Sequence, residues 1–162
     1  MPNIRCEAII PKKLVVDRKR LEKAVENALD LVAENVRVDF EVTTYTWKTK
    51  PTFIIATKRG ERRVYTGNLI YKFVSGGTKP HVIKPKKSKY LVFFGNGFRP
   101  KTRVNYIGSN KGHAANRNKQ FRKYVIHPGV ESRNFEKVIA KKWRKQFPII
   151  MQRSINQEAN HE

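Results

Sequence analysis

From Asp17 to Tyr45 the chain runs without a glycine or a proline, and Leu21, Val25, Ala28, Leu29, Val32 and Val36 recur at three- and four-residue steps. That spacing draws a single apolar stripe along a helix, and a stretch this long must lay its stripe against something. Asp17 is placed to cap the N-terminus, and Glu22 and Glu26 sit early, where carboxylates suit the helix dipole. The far end reads two ways. Val36, Val38, Phe40 and Val42 alternate with Arg37, Asp39, Glu41 and Thr43 as in a strand, yet Val36, Phe40 and Thr44 also continue the helical stripe. With no breaker between the two patterns, the expectation is one helix from about Asp17 to about Tyr45.

The segments on either side follow simpler rules. Residues 1–16 read as an extended arm or short strand. Pro51 ends the helical region; beyond it Phe53–Thr57 and Arg63–Thr66 flank Lys58-Arg59-Gly60-Glu61, a hairpin with Gly60 in the turn. Leu69–Val74 fits a strand or a short helix, and Ser75-Gly76-Gly77-Thr78-Lys79-Pro80 reads as a turn. His81–Ile83 and Tyr90–Phe94 are strands on either side of the basic turn Lys84–Lys89. Residues 95–122 form a long polar, basic loop rich in Gly and Asn, of a kind usually functional or disordered. Lys123–His127 returns as a strand, and Pro128-Gly129 turns the chain toward a last helix. In that helix Phe135, Val138, Ile139, Trp143, Phe147, Ile150 and Met151 share a face, opposite Lys141, Lys142, Arg144 and Lys145. Pro148 is expected to kink or interrupt it near Gln146, and residues 157–162 to fray. Trp47 and Trp143 are expected to fill the core.

These elements make one α+β domain over residues 1–162: a long N-terminal and a C-terminal helix packed on a small, mostly antiparallel sheet, with a long basic loop at 95–122. Apolar residues are 39% of the chain, which is lean for a core and leaves room for completion by identical subunits or a partner.

Charge is distributed unevenly. The net charge is +22, yet residues 1–50 carry ten basic and eight acidic side chains, whereas residues 51–132 carry eighteen basic and two acidic, Glu61 and Glu131. Such a block attracts polyanions or acidic surfaces. Its candidate contact residues are Lys84, Lys86, Lys87 and Lys89 in one turn, and Arg99, Lys101, Arg103, Lys111, Arg117, Lys119, Arg122 and Lys123 in and beside the long loop. Phe98, Tyr106 and Phe121 are interleaved with them and could stack on bases. No zinc-finger, helix-turn-helix or RRM pattern accompanies them, which implies phosphate contact without sequence readout. Contact with acidic faces of neighbouring subunits accounts for the same residues about equally well.

Reactive constellations are sparse. Cys6 is the single cysteine, so no intrachain disulfide forms, and it reads as a small buried hydrophobe. Cys6, His81, His113, His127 and His161 are scattered, without the paired spacing of a zinc site. Ser75-Gly76-Gly77-Thr78 lacks the Gly-Lys-Ser/Thr of a phosphate loop. Asp17, Asp30 and Asp39 lie on the first helix, where solvated positions are the default. His81 and His127 read as turn residues; a metal-free ribonuclease built on them with nearby lysines needs only common residues. No catalytic residue, metal or cofactor is expected, nor an apolar run long enough to span a membrane or serve as a signal core.

One resemblance covers roughly residues 17–155. After the long helix, Thr46-Trp47-Lys48-Thr49-Lys50-Pro51-Thr52-Phe53 is followed by Tyr71-Lys72-Phe73-Val74-Ser75-Gly76-Gly77-Thr78-Lys79-Pro80-His81-Val82-Ile83-Lys84-Pro85-Lys86, by Leu91-Val92-Phe93-Phe94, and by His127-Pro128-Gly129-Val130-Glu131-Ser132-Arg133 with Phe135 beyond. This order resembles the tail-completion or neck (head–tail joining) proteins of long-tailed bacteriophages; the loop at 95–122 is longer than in shorter members. The resemblance implies a structural virion protein that completes or joins the tail to the head connector as a ring around the DNA channel. It would be homo-oligomeric, with a hexamer as candidate stoichiometry, beside other neck and tail proteins and DNA, in the virion and, during assembly, in the host cytoplasm. Gly76, Gly77, Thr78, His127, Pro128 and Gly129 are then fold-defining turn residues. Leu69–Val74, the 95–122 loop and the exposed helix faces become interface candidates. The alternatives are a sequence-independent nucleic-acid-binding protein and, third, a small ribonuclease or toxin.

Overall fold

The computed structural model describes residues 3–8, 17–94, 101–109 and 118–159. The elements, in order, are β1 (Asn3–Glu7), α1 (Arg18–Thr43), β2 (Ile54–Lys58), β3 (Glu61–Tyr65), α2 (Leu69–Gly76), β4 (His81–Ile83), β5 (Leu91–Phe94), β6 (Lys119–Arg122), β7 (Val125–His127) and α3 (Phe135–Ala159). The α+β class stands as read from the sequence: two long helices lie against small antiparallel sheets.

Helix α1 starts where expected, with the Asp17 carboxylate accepting from the Lys19 N–H at 3.0 Å. The ambiguous stretch at its end is helix, because Val36 and Phe40 fall on the buried stripe with Val32 and Leu29. That stripe packs on α3 and on the three-stranded sheet β1-β3-β2, in which Ile4 faces Val64 across β1 and β3. Gly60, at φ +70, turns the β2–β3 hairpin as expected. The core is aromatic at its centre. Tyr71 of α2 is fully buried with ring centroids 5.1 Å from Phe53 and 5.3 Å from Phe135, and Phe40 stacks on Phe53 at 5.2 Å. Burial pushes the Tyr71 phenol far above its ordinary value, so it stays neutral beside the Thr43 hydroxyl. Trp143 is buried, and Trp47 packs on the same cluster.

One open reading is decided and three local expectations are corrected. Leu69–Val74, left open between strand and helix, is helix, capped by Asn68 Oδ1 accepting from the Tyr71 N–H at 2.9 Å. Gly76 is the last residue of α2 and no turn residue; Gly77, at φ +77, makes the turn. Helix α3 is not interrupted at Pro148, which is exposed, while Trp143, Phe147 and Ile150 pack on the core from either side of it. The helix also continues to Ala159, into the segment expected to fray.

Asp39 is not on a solvated face. It is buried on α1 and accepts from Lys142 Nζ at 2.7 and 2.8 Å and from Trp143 Nε1 at 2.7 Å, joining the two long helices. Arg62 plays the matching part between sheet and helix. Its side chain is buried, bonds to Asp30 and lies 2.7 Å from Glu26.

These contacts set an acid limit on stability. The Gly60 N–H and then Arg62 hold the Glu26 carboxyl below the usual carboxylate range, and Arg62 does the same to Asp30. A folded pKa below the unfolded one contributes stability that is complete above the unfolded value, about pH 4–4.5, and is lost as pH falls through the folded value. The melting temperature should therefore hold between about pH 7 and 5 and drop below about pH 4. Arg62→Met should melt lower at pH 7 and lose part of that acid dependence; an unchanged acid slope in the variant would refute the assignment.

Candidate assembly and polyanion surface

The last third of the motif-bearing sequence meets the middle third at one junction. Ser75, at the end of α2 and almost fully buried, accepts the Phe135 N–H on its hydroxyl at 3.1 Å and donates to Glu136, so it caps α3 from another helix. Its carbonyl accepts from the amides of Arg133 and Asn134 and from the Ser132 hydroxyl at 2.7 Å. Next to it Thr78 and Val130 form an antiparallel bridge, with Thr78 N–H to Val130 O at 2.9 Å and Val130 N–H to Thr78 O at 3.1 Å. The two glycines are required here. A Cβ on Gly77 would stand 2.8 Å from Val130 O, and one on Gly129, at φ +86, 2.3 Å from Thr78 O. The close approach therefore depends on glycine at Gly77 and Gly129, on either side of the Thr78 bridge.

From this junction a two-stranded ribbon departs. Beyond Thr78↔Val130, β4 pairs with β7 as His81↔His127, Val82↔Ile126 and Ile83↔Val125. Then β5 pairs with β6, from Leu91↔Arg122 to Phe94↔Lys119. The strands flanking Lys84–Lys89 do not pair with each other. Both run outward along one returning strand. Between the two ladders the outgoing strand has seven residues, 84–90, against two on the return, 123–124. The Lys84–Lys89 segment is therefore a bulge on the flank of the ribbon.

The expected loop at 95–122 is corrected. Its end, Lys119–Arg122, is strand β6, and residues 101–109 fold back on the body. Thr102 is buried and bridges Ser109, the Ser109 hydroxyl donates to Thr43 O, and the Asn105 N–H donates to Arg133 O at 3.1 Å. The free carbonyls at the end of α1 and the turn at Asn134 give this polar stretch its partners.

The candidate cations separate accordingly. Lys84, Lys86, Lys87, Lys89 and Lys123 are exposed at the bulge, and Lys119 and Arg122 are exposed on β6. Lys101 and Arg103 belong to the segment held on the body, while Arg99, Lys111 and Arg117, with Phe98, lie outside the described residues. The ion pairs of the body gather on α1, β1, β3 and α3, as in Arg5–Glu61, Arg62–Glu26 and Lys142–Asp39.

Local charge and turn patterns do not announce the apolar surfaces. On α2, Leu69, Ile70 and Phe73 are 65%, 61% and 52% exposed. On the ribbon, cross-strand partners Val82 and Ile126, and Val92 and Phe121 with Phe94, are half or more exposed. The alternation of LVFF and the pairing of VIH with HVI carry that signal once the register is known.

Chemistry at the histidines is constrained. The His81 and His127 rings stack at 5.1 Å, and both Nδ1 atoms are engaged with backbone, His81 with Lys79 O at 3.0 Å and His127 accepting from the Gly129 N–H at 3.1 Å. Cys6 is half-buried, and burial pushes its thiol up, away from the nucleophilic thiolate. Among the described residues no group of three or more His, Cys, Asp or Glu could hold a metal ion, and no helix is long and apolar enough to cross a membrane. Comparison with protein-family models, curated proteins and solved structures finds no match to this chain.

Proposed function

We propose that this chain is a structural, non-enzymatic subunit of a bacteriophage neck or tail, which assembles head-to-tail into a ring around the DNA channel and completes or joins the tail to the head connector. The carrying observation is the set of unlike exposed apolar side chains on α2 (Leu69, Ile70, Phe73) and along the ribbon (Val82 with Ile126, and Val92 with Phe121 and Phe94). All eight of these large apolar side chains are half or more exposed. Two different patches on one chain fit a heterologous contact, which closes into a ring when the rotation allows. The phage setting rests on the resemblance. It is supported by the way Tyr71, Gly77, Thr78, His81, His127, Gly129 and Phe135, distant in sequence, converge on one junction and the aromatic core beside it.

Light scattering at low and high salt tests this. The wild type should give one discrete oligomer, and Ile70→Asp/Phe73→Asp should give a monomer with a melting temperature within a few degrees of wild type, because α2 turns these side chains away from the core. A wild-type monomer that binds DNA with a steep salt dependence favours the sequence-independent nucleic-acid-binding protein instead. RNA turnover that disappears in His127→Ala would overturn the non-enzymatic assignment.

A further inference from the structure

Between Glu61 and Glu131 the chain has no carboxylate, while residues 78–130 carry thirteen cations, of which Lys84, Lys86, Lys87, Lys89, Lys119, Arg122 and Lys123 stand exposed on the ribbon. The acidic side chains of the body are engaged within it. Glu22 pairs with Arg18 and Arg59, Glu34 and Glu41 with Arg37, Glu26 and Asp30 with Arg62, and Asp39 with Lys142. The carboxylates of α1 are thus already paired with arginines and a lysine of the same body. Subunits brought together by their apolar faces would set these uncompensated cations near one another, which a polyanion relieves and another copy does not.

The register fixes where the cations concentrate. Seven residues opposite two force five extra residues out of the ladder, and they carry Lys84, Lys86, Lys87 and Lys89, all exposed, while Lys123 stands on the opposing strand at the same level. Pro85 limits the backbone at one end of the bulge, and the Ser88 hydroxyl donates to Tyr90 O at 2.7 Å at the other. Among the described residues no carboxylate pairs with any of the five. Every cation at the bulge is a lysine. Ammonium groups act as point charges that tolerate any phosphate geometry, whereas the rigid planar fork that imposes a fixed geometry belongs to arginine.

We propose that the Lys84–Lys89 bulge, with Lys123, is a binding site for the phosphodiester backbone of duplex DNA, engaged without base readout. It deepens the reading above, in which the ligand is the duplex inside the channel, but it is read from duplex binding and not from oligomeric state, so either can fail alone. The bulge reaches about three phosphates, each contributing roughly −0.9 to the slope of log K against log salt concentration.

The experiment titrates a fluorescent 20-base-pair duplex with the full chain at several salt concentrations. Lys86→Ala/Lys87→Ala/Lys89→Ala is compared with Lys141→Ala/Arg144→Ala/Lys145→Ala, which removes equal charge from the exposed side of α3. The bulge variant should bind at least about tenfold more weakly near 0.1 M salt, with its slope shallower by about 2–3, while the α3 variant stays within about threefold of wild type. A second duplex of unrelated sequence should bind equally. Equal losses in both variants would mean that net charge alone acts. No wild-type binding, or a strong preference between the duplexes, also overturns the site. Capture of an acidic protein by the bulge without duplex binding would overturn it in favour of a protein partner. Matching melting temperatures exclude misfolding as the cause of any loss.

Discussion

Gly129→Ala should lower stability by about 3–5 kcal/mol and the melting temperature by on the order of 10 °C or more, read by thermal denaturation at pH 7. The new Cβ would lie 2.3 Å from Thr78 O and 3.0 Å from the Lys79 carbonyl carbon, both backbone atoms held in place by the Thr78↔Val130 bridge. The residue also sits at φ +86, where a side chain is strained by about 1–2 kcal/mol before any clash. Gly77→Ala should behave alike, since its Cβ meets Val130 O at 2.8 Å at φ +77. Gly76 supplies the contrast. It is the last helical residue, with nothing within 4 Å of an added Cβ, so Gly76→Ala should be neutral or stabilise by up to about 1 kcal/mol. A Gly129→Ala protein that melts with the wild type would remove the junction from its place at the base of the ribbon.

The second large effect is at Asp39. Asp39→Ala should cost about 2–4 kcal/mol, because it leaves the buried Trp143 indole N–H without its acceptor and Lys142 without its anion. Asp39→Asn keeps an oxygen for Trp143 and should cost less. Lys142→Met should cost no more than about 1 kcal/mol, since the Lys142 side chain is 38% exposed and the Asp39 carboxylate retains Trp143. If Lys142→Met is as damaging as Asp39→Ala, the ion pair and not the indole bond holds α1 to α3. Urea denaturation of the three variants at one pH separates these cases through their midpoints.

Legibility in the sequence followed the range of the interactions. Leu21 to Phe40 could be read because a helix buries a stripe set by local spacing, and Gly60 because a tight hairpin needs a positive φ. Gly77 and Gly129 were recognised as turns, but the close approach of each to the other's strand depends on a bridge between residues 52 apart in sequence. The ribbon register was illegible for the same reason. His81–Ile83 and Leu91–Phe94 could be read as strands on either side of a basic segment, but their partners lie beyond residue 118. Asp39 carried no mark distinguishing it from Glu34 or Glu41 on the same helix, since only the approach of Trp143 and Lys142 makes it a buried joint. The candidate cations were identified by composition alone. Their division between an exposed bulge and a segment folded onto the body required the structure.

The Thr78↔Val130 bridge has a topological consequence. The ribbon leaves the body and re-enters it at directly paired residues, so residues 78–130 form an excursion whose two ends are only one strand spacing apart. Such an appendage can lengthen, shorten or change in sequence while the helices and three-stranded sheet keep their frame, the segment 101–109 being a further attachment among the described residues. Stability and charge consequently vary on separate parts of the chain: the frame holds Tyr71, Phe135 and Asp39, and the excursion carries thirteen positive charges and no negative one. Lineages of such a protein can retune what the appendage grips without renegotiating how the frame folds.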